Sequence, residues 1–307
     1  MPVVIPEDLP ATQILKDHGI FVMNSERAQT QDIRPIKICI LNLMPDKITA
    51  ETQLLSKLSN GTLQVDITLM AIENHISKNT KQAHLDTFYS YFDDIKDQYF
   101  DGMIITGAPI ELLKFEDVTY WDELTKIFEW SREHVFTSLY ICWGSQAALK
   151  YFYDIDKHTF PEKLTGVFPH IKEKEDSQLL IGIDDVFYVP QSRNTESDAE
   201  AIRNHPNLEV IASSKEAGIH IVSSKNGRQL FMSGHPEYYK ETLLLEYQRD
   251  LAQGSTVVPC NYFVDDNPEK AIQTRWISAS SIFFQNWLNY FVYQETDYDF
   301  TSQNSSS

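Results

Sequence analysis

Residues 138–147 read Ser-Leu-Tyr-Ile-Cys-Trp-Gly-Ser-Gln-Ala, an apolar run that ends at a cysteine and turns through a glycine into a helical pattern. This pattern predicts a buried strand, a tight corner and a helix. In a parallel sheet such a corner presents the side chain of Cys142 at the carboxyl edge, where open α/β sheets bind their ligands. The position alone is equally compatible with a catalytic thiol and with a buried structural cysteine.

The alternation of strand and helix continues along the first half of the chain. Short apolar runs rich in β-branched residues predict strands, and apolar residues at helical spacing predict helices between them. The predicted strands are 36–44, 63–72, 100–106 and 137–141, and the predicted helices are 49–58, 121–134 and 145–153. Because this alternation is typical of crossover connections, we predict an α/β fold with a doubly wound, mostly parallel sheet flanked by helices.

The second half of the chain is less regular and predicts a smaller antiparallel extension, with a hairpin turn at Asn226-Gly227. The predicted strands are 186–189, 208–212, 220–223 and 229–232, and the predicted helices are 240–252 and 282–293. No Gly/Ser-rich or Pro-rich linker divides the chain. We therefore predict an N-terminal arm over 1–35, a single α/β domain over 36–300 and a disordered polar tail over 301–307.

Composition excludes several classes of protein. The chain has 307 residues and a formal net charge of −18, so it has no excess of cations with which to neutralise nucleic-acid phosphates or anionic lipids. Its three cysteines form no zinc-type or disulfide-type spacing, which predicts reduced thiols and no metal. The sequence also lacks a secretory signal and an apolar run long enough to span a bilayer, and these features predict a cytoplasmic protein.

A second segment, 231–238, reads Phe-Met-Ser-Gly-His-Pro-Glu-Tyr. Here a predicted strand ends at a glycine, and His235 and Glu237 follow on a loop. A cysteine nucleophile needs a base within hydrogen-bond reach and a third group that orients the base. These two residues can supply both if their strand lies beside the strand that ends at Cys142, whereas the other histidines have no comparable setting.

The pairing of these segments resembles the Cys-His-Glu triad of the class I glutamine amidotransferase-like fold, a flavodoxin-like α/β fold. In that fold the histidine and the glutamate come from one His-Pro-Glu segment. The stretch Gly107-Ala108-Pro109 resembles the loop that lends backbone donors to the oxyanion hole there. The resemblance therefore implies that Gly107, Ala108 and an amide near Trp143 hold a tetrahedral oxyanion.

Two departures distinguish the chain from amidotransferases. Those enzymes usually carry Gly-x-Cys-x-Gly, whereas Tyr140 replaces the first glycine here. No synthetase domain accompanies the triad to use ammonia. An acyl donor other than glutamine is therefore implied.

Further segments, in order along residues 1–300, resemble the homoserine O-acyltransferases of the methionine pathway. They are Asn42-Leu43-Met44-Pro45-x-Lys47, Gly107-Ala108-Pro109, Cys142-Trp143-Gly144-Ser145-Gln146-Ala147, Ser192-Arg193, Gly234-His235-Pro236-Glu237-Tyr238 and the closing stretch 286–294. The resemblance implies that Cys142 is the acyl-thioester nucleophile, His235 the general base and Glu237 the residue that orients it.

The resemblance also implies which residues bind substrate. Lys163, Ser192 and Arg249 correspond to the homoserine-binding residues, and a guanidinium suits the α-carboxylate of homoserine. Read without the resemblance, they are a surface lysine, a turn serine and a helix arginine. Gln191 stands where relatives often have a histidine, and Lys47, on the loop after the first strand, is a candidate contact for the acyl donor.

The acyl group is implied by one side chain. In the family, glutamate just after the Gly-Ala-Pro loop goes with acetyl-CoA and glycine with succinyl-CoA, and this chain has Glu111. A carboxylate there would repel the succinyl carboxylate, although an ordinary solvated glutamate opening a helix would look the same in sequence.

The implied activity is acetyl transfer from acetyl-CoA to the hydroxyl of L-homoserine through an acyl-cysteine, by a homodimer without a bound metal or prosthetic group, with acetyl-CoA as co-substrate. The alternatives are succinyl transfer, a glutamine amidotransferase or cysteine hydrolase of the same fold, and a catalytically silent binding module on that fold.

Overall fold

The computed structural model describes residues 3–18, 20, 22–23, 34–59, 61–73 and 80–295. Their strands join into one sheet. The strands are β1 Val3–Val4, β2 Val22–Met23, β3 Ile36–Leu41, β4 Val65–Met70, β5 Tyr89–Ser90, β6 Phe100–Ile105, β7 Val135–Ile141, β8 Lys157–Lys172, β9 Val186–Ser197, β10 Leu208–Ser214, β11 Gly218–Ser224 and β12 Gln229–Met232. They lie in the order β2-β1-β4-β3-β6-β7-β12-β11-β10-β8-β9, and β5 pairs with β4.

The first part of the sheet is parallel throughout, from β2 to β12. The pairing of β12 with β7 matters most for function, because Met232 lies opposite Ile141 at the carboxyl ends of the two strands. The segment after β12 therefore emerges beside the corner that follows β7. The doubly wound, mostly parallel sheet predicted from the sequence is confirmed.

The remaining strands form the antiparallel extension, in which β12, β11, β10, β8 and β9 pair antiparallel in turn. Strand β8, which has 16 residues, was not predicted from the sequence, and β9 continues to Ser197, beyond its predicted end at residue 189. Proline and glycine interrupt β8 at Pro161 and Gly166, and the β8–β9 register shifts between Thr159 and Leu164. A pattern broken in this way has no continuous alternation to recognise.

Helices cover both faces of the sheet. They are α1 Pro10–Asp17, α2 Lys47–Leu58, α3 Gln82–Phe88, α4 Phe92–Ile95, α5 Trp121–His134, α6 Trp143–Tyr153, α7 Ala199–Asn204, α8 Thr242–Ala252 and α9 Ile277–Asn286. Along β3, Ile38 and Ile40 pack in one core with α2 and α9, while Cys39 and Leu41 pack in another with α5 and α6. Each face of the sheet therefore buries its own core, as a doubly wound sheet requires. In the described part of the chain, none of the helices has the length and apolar character needed to cross a bilayer.

Two predicted helices differ from the observed ones. Lys47 begins α2, capped by Asp46, whereas the sequence analysis placed Lys47 in a loop. The predicted helix 282–293 is α9 followed by a π-helical segment, Trp287–Tyr293. Apolar and aromatic residues continue through both parts, so hydrophobic spacing alone could not reveal the change of helix type.

Part of the predicted N-terminal arm lies within the sheet. Val3 pairs parallel with Val65 of β4 and with Val22 of β2, and Leu9 and Leu15 are buried in the core shared with α2. The predicted polar tail over 301–307 lies outside the described residues.

Candidate active site

Cys142 occupies a strained corner between β7 and α6. Its φ of 51° and ψ of −117° are rare for a residue other than glycine, and strain of this kind is often found at functional sites. Its backbone amide donates to the carbonyl of Met232 at 2.7 Å, which ties the corner to β12. Gly144 permits the tight turn, because a Cβ there would lie 2.6 Å from the carbonyl oxygen of Thr106.

His235 and Glu237 follow β12 and lie beside this corner. The Nδ1–H of His235 donates to Oε1 of Glu237 at 2.7 Å, and the His235 amide donates to the carbonyl of Pro190 at 2.8 Å. The imidazole stacks on the ring of Tyr238 with 4.3 Å between centroids. Since Glu237 engages Nδ1, the second ring nitrogen is left for Cys142, whose thiol is within hydrogen-bond reach. The structure therefore brings the three predicted residues together in the order that a nucleophile, a base and an orienting group require.

The charges of the triad set the protonation of the histidine. Burial by itself would lower the pKa of His235, but the negative charges of Cys142 and Glu237 and the hydrogen bonds to both residues outweigh it. The pKa is therefore raised well above its ordinary value. A histidine in this setting readily holds the proton that it takes from the nucleophile.

The predicted oxyanion-hole residues lie against the nucleophile. A Cβ on Gly107 would come within 3.2 Å of the Cβ of Cys142 and 3.7 Å of Cε1 of His235, so glycine allows the loop backbone to approach both residues. Ala108 follows on the same loop and lines a cavity that Cys142 and His235 also line. Trp143 is the first residue of α6, and its backbone amide belongs to the first turn, which has no partner inside the helix. These positions can present backbone N–H groups to an oxyanion beside the thiol.

Cys142 and His235 open into a cavity of about 890 Å³, called here the polar chamber. The predicted substrate residues Lys163, Ser192 and Arg249 and the predicted specificity residue Glu111 all line it. Four residues widely separated in sequence are thus gathered around the triad.

A carboxylate that the sequence analysis missed organises the far wall of the polar chamber. Glu246 accepts hydrogen bonds from the hydroxyl of Ser192 and, at 2.7 Å, from the hydroxyl of Tyr238. Its carboxylate is 3.8 Å from the ammonium of Lys163. Glu246 lies one turn before Arg249 on α8, so both point to one side of the helix. The position of Glu246 one helical turn before Arg249, a predicted substrate residue, was the sequence signal that could have identified it.

The cations of the polar chamber are held by one further carboxylate. Asp250 accepts from Lys163 Nζ at 2.7 Å and pairs with Nη2 of Arg249 at 2.7 Å.

Glu111 lines the same chamber, where its Oε1 accepts from the backbone amide of Asn194 at 2.8 Å and from the side-chain amide of Asn194 at 2.5 Å. Glu111 is therefore a positioned carboxylate, and it does not open a helix.

Lys47 lies apart from this arrangement. Its ammonium is buried and donates to the carbonyls of Asn42 at 2.6 Å and Met44 at 3.2 Å. Lys47 lines a small separate cavity instead of the polar chamber. The ammonium supports the loop after β3, and this geometry does not favour its contact with an acyl donor.

A buried polar network lies next to the His-Pro-Glu loop, residues 235–237. The carbonyl of His220 accepts from the amide of Ser233 at 2.9 Å, and Gln191 Nε2 lies 3.3 Å from Nε2 of His170. Burial lowers the pKa of His170 to about 4 and the pKa of His220 well below its ordinary value, so both are neutral supports. These two histidines lie within strands, unlike His235 on its loop, and the sequence did not predict their supporting role. Gln191 is fully buried in this network and does not line the polar chamber.

Lys57 was also missed by the sequence analysis. It lies on α2, is only 5% exposed, and its charge faces Glu237, whose Oε2 is buried without a hydrogen-bond partner in the described part of the chain. Burial, which the attraction of Glu237 only partly offsets, lowers the pKa of Lys57 to about 8. Lys57 therefore supplies a countercharge to the orienting carboxylate at a cost in stability.

Replacing Lys57 by Met should raise the free energy of unfolding. Below pH 8 the lysine is charged in both the folded and the unfolded chain, so the full burial penalty applies, of order 3 kcal/mol. The penalty is lost as the pH rises from about 8 towards the ordinary lysine value. Denaturant titrations at pH 7 and pH 10 should show that the gain of Lys57→Met shrinks at the higher pH. Lys16→Met, an exposed helical control, should change little at either pH, and a destabilised Lys57→Met protein at pH 7 would contradict this account.

The fold defines the structural class of the protein. The structure is similar to a glutamine amidotransferase of Thermotoga maritima, with a TM-score of 0.57, 10% identity, and coverage of 85% of this chain and 99% of that one. It is also similar to a glutamine amidotransferase of Methylobacillus flagellatus, with a TM-score of 0.51, 11% identity, and coverage of 84% and 95%. These likenesses identify the class I glutamine amidotransferase-like fold.

Sequence comparison narrows the class to a family. The model of the homoserine O-succinyltransferase family matches residues 2–298, and the chain belongs to this family. It is 54% identical to a homoserine O-acetyltransferase of Clostridium botulinum strain Eklund 17B, over 97% of this chain and 98% of the relative. A homoserine O-acetyltransferase of Clostridium beijerinckii is also 54% identical, over 97% and 99%. A homoserine O-succinyltransferase of Aliivibrio fischeri is 50% identical, over 99% and 98%. The family assignment made from the sequence is confirmed.

Proposed function

We propose that this chain is a homoserine O-acetyltransferase, which transfers acetyl from acetyl-CoA to the hydroxyl of L-homoserine. The observation that carries the proposal is that Cys142 and His235, the latter held by Glu237, line a chamber that Lys163, Arg249 and Glu246 also line. A thiol nucleophile with its base suits acyl transfer, and the charged walls suit an amino acid. The names of the relatives support the same reaction.

The first half-reaction acylates the cysteine. The sulfur of Cys142 attacks the thioester carbon of acetyl-CoA, the carbonyl oxygen becomes an oxyanion near the backbone of Gly107 and Trp143, and the carbon–sulfur bond to CoA breaks. The proton held by His235 passes to the departing CoA sulfur. Since one thioester replaces another, the step is nearly isoenergetic, and the acyl group is stored without loss of its reactivity.

The second half-reaction transfers the acetyl group to homoserine. His235 takes the hydroxyl proton, the oxygen attacks the acyl carbon, and the bond to the sulfur of Cys142 breaks to give O-acetyl-L-homoserine. Arg249 and Lys163 face the α-carboxylate, whereas Glu246 and the Ser192 hydroxyl face the α-ammonium group. The pairs that these residues make with one another in the free chamber would be exchanged for pairs with the substrate.

Acetyl is favoured over succinyl because of Glu111. Its carboxylate is fixed by Asn194 on the wall of the polar chamber, where a succinyl carboxylate would meet a like charge. Succinyl transfer is the second candidate, since a relative at 50% identity carries that name. The proposal also has acetyl-CoA as a co-substrate, with no bound metal or prosthetic group. It further includes a homodimer and a cytoplasmic location, and light scattering on the purified protein tests the homodimer.

Replacing Glu111 by Gly should raise the ratio of kcat/KM for succinyl-CoA to kcat/KM for acetyl-CoA by about tenfold or more, because it removes both the like charge and the occupied space. Steady-state kinetics with each donor at saturating homoserine measures the ratio. Glu111→Gln keeps the size and removes the charge, so it separates the two causes. An unchanged ratio in both variants would remove Glu111 from the choice of acyl group.

Product analysis tests the proposed reaction directly. With acetyl-CoA and homoserine, the protein should release CoA and O-acetylhomoserine in equal amounts. Incubation with glutamine should release no ammonia above a protein-free control. Ammonia release with no transfer to homoserine would favour the amidotransferase alternative.

A further inference from the structure

A second cavity reaches His235 and Glu237 from another side, next to Ile141, the residue before Cys142. It has a volume of about 280 Å³ and lies between α2 and α8. His235, Gly107 and Tyr238 line both this cavity and the polar chamber. The catalytic base therefore lies where the two cavities adjoin. The second cavity is called here the apolar slot.

The walls of the apolar slot differ in chemistry from those of the polar chamber. Its apolar lining is Met44, Pro45, Ala50, Leu54, Ile141 and Leu245, and neutral hydrogen-bonding groups come from Thr49, Gln53 and Thr242. Gln53 Nε2 donates to Thr242 Oγ1 at 2.8 Å, which links the two helices across the slot.

Few charged residues belong to the apolar slot alone. Asp46 caps α2 through Thr49 and Glu237 accepts from His235, whereas Glu246 and Arg249 also line the polar chamber and lie at the border of the two cavities. A neutral ligand with a few amide groups therefore fits the slot better than an ion does.

We infer that the apolar slot holds the pantetheine arm of the acyl-CoA donor, an inference that rests on the proposed function. The arm is an uncharged chain with two amide groups, and it carries the thioester at its end. The charged walls of the polar chamber suit homoserine, so the slot is the entrance whose chemistry matches the arm. Neutral polar groups such as Gln53 offer hydrogen bonds to its amides.

The position of His235 accounts for both half-reactions in this arrangement. The departing thiol leaves through the apolar slot, and the acetyl group stays on Cys142 facing the polar chamber and Glu111. The homoserine hydroxyl then approaches the same base from the chamber. One imidazole can therefore protonate the first leaving group and deprotonate the second nucleophile.

Leu245 offers a test that does not touch the triad. Its side chain lines the apolar slot on α8, yet the residue is 62% exposed, so a charge there should not unfold the protein. Leu251 lies on the same helix, is 45% exposed and lines neither the slot nor the chamber. Leu245→Glu and Leu251→Glu therefore form a matched pair with the same change of charge.

The rate of acetylation of Cys142 should be measured by mass spectrometry with acetyl-CoA and, separately, with S-methyl thioacetate, which has the same thioester and no pantetheine arm. Leu245→Glu should lower the second-order rate with acetyl-CoA about tenfold and leave the rate with S-methyl thioacetate within about twofold of wild type. Ala50→Phe, which fills the slot from α2, should act in the same way if thermal unfolding confirms that it is folded.

Equal rates with acetyl-CoA for Leu245→Glu and Leu251→Glu would overturn the assignment of the slot, as would an equal loss with both donors in Leu245→Glu. Failure of the proposed function has a different signature. In that case the wild-type protein itself would not be acetylated by acetyl-CoA.

Discussion

Replacing Cys142 by Ala should reduce acetyl transfer by at least about 10⁴-fold, because the variant has no atom that can carry the acyl group between the two substrates. The fold should persist. Alanine keeps the Cβ that lies against Gly107, and the backbone bond from residue 142 to Met232 does not use the thiol. Circular dichroism and a melting curve close to wild type should accompany the loss of activity.

Cys260→Ala is the matched control for this loss. Cys260 is exposed, and its backbone amide and carbonyl, not its thiol, bond to Thr165 and Val167. The control should keep full activity. If Cys142→Ala retained activity within about tenfold of wild type, transfer would have to be direct, and the acyl-cysteine mechanism would be wrong.

Replacing His235 by Asn should lower kcat/KM for acetyl-CoA by about 10³-fold or more, since the same imidazole serves both half-reactions. His220 lies nearby, but it is buried and its pKa is lowered well below the ordinary value, so it cannot take over as the base. The rate at which iodoacetamide alkylates Cys142 at pH 7 should fall as well, because the thiol loses its proton acceptor.

Two variants control the histidine experiment. His158→Asn removes an exposed histidine that pairs with Glu196 and not with any residue of the triad. This variant should leave the rates of acetyl transfer and of Cys142 alkylation unchanged. Glu237→Gln should lose less activity than His235→Asn, because it disturbs the orientation of the imidazole without removing it. A His235→Asn protein that is folded and alkylated at the wild-type rate would show that His235 is not the base.

The elements of the proposed triad were predictable because they are local in sequence. The strand, cysteine and glycine around Cys142 and the His-Pro-Glu loop are short patterns with strict backbone demands. Those demands are visible in the positive φ of Cys142 and in the close approach of Gly144 to Thr106. The sequence left open whether the two strands are neighbours, and the parallel pairing of β7 with β12 in the structure brings His235 beside the thiol.

Features that depend on contacts between distant segments could not be read in this way. Glu246 is held by a hydrogen bond from Ser192, which is 54 residues away in the sequence. Lys57 faces Glu237 only because α2 packs against the His-Pro-Glu loop. In sequence each is an ordinary charged residue of a helix. The long β8–β9 pair was missed for a related reason, since its stability comes from pairing with β9 and not from a regular alternation of its own.

The apolar slot shows the same limit at the level of ligand binding. Most of its walls come from the β3–α2 loop, α2 and α8, and although the loop carries one of the family-like segments, nothing in these sequences indicates a cavity between them. Only the packing of α8 over α2, through Gln53 and Thr242, creates a cavity that ends at His235. Sequence motifs predicted the reacting groups, whereas the proposed entrances for the two substrates could be found only from the fold.

Intact-protein mass spectrometry tests the central claim most directly. The purified protein is mixed with acetyl-CoA, and separately with succinyl-CoA, in the absence of homoserine. We expect one acetyl group per chain, mapped to Cys142 by peptide analysis, absent in Cys142→Ala and removed when homoserine is added. No adduct on Cys142 from either donor, under conditions in which the same protein turns over both substrates, would contradict the acyl-cysteine mechanism.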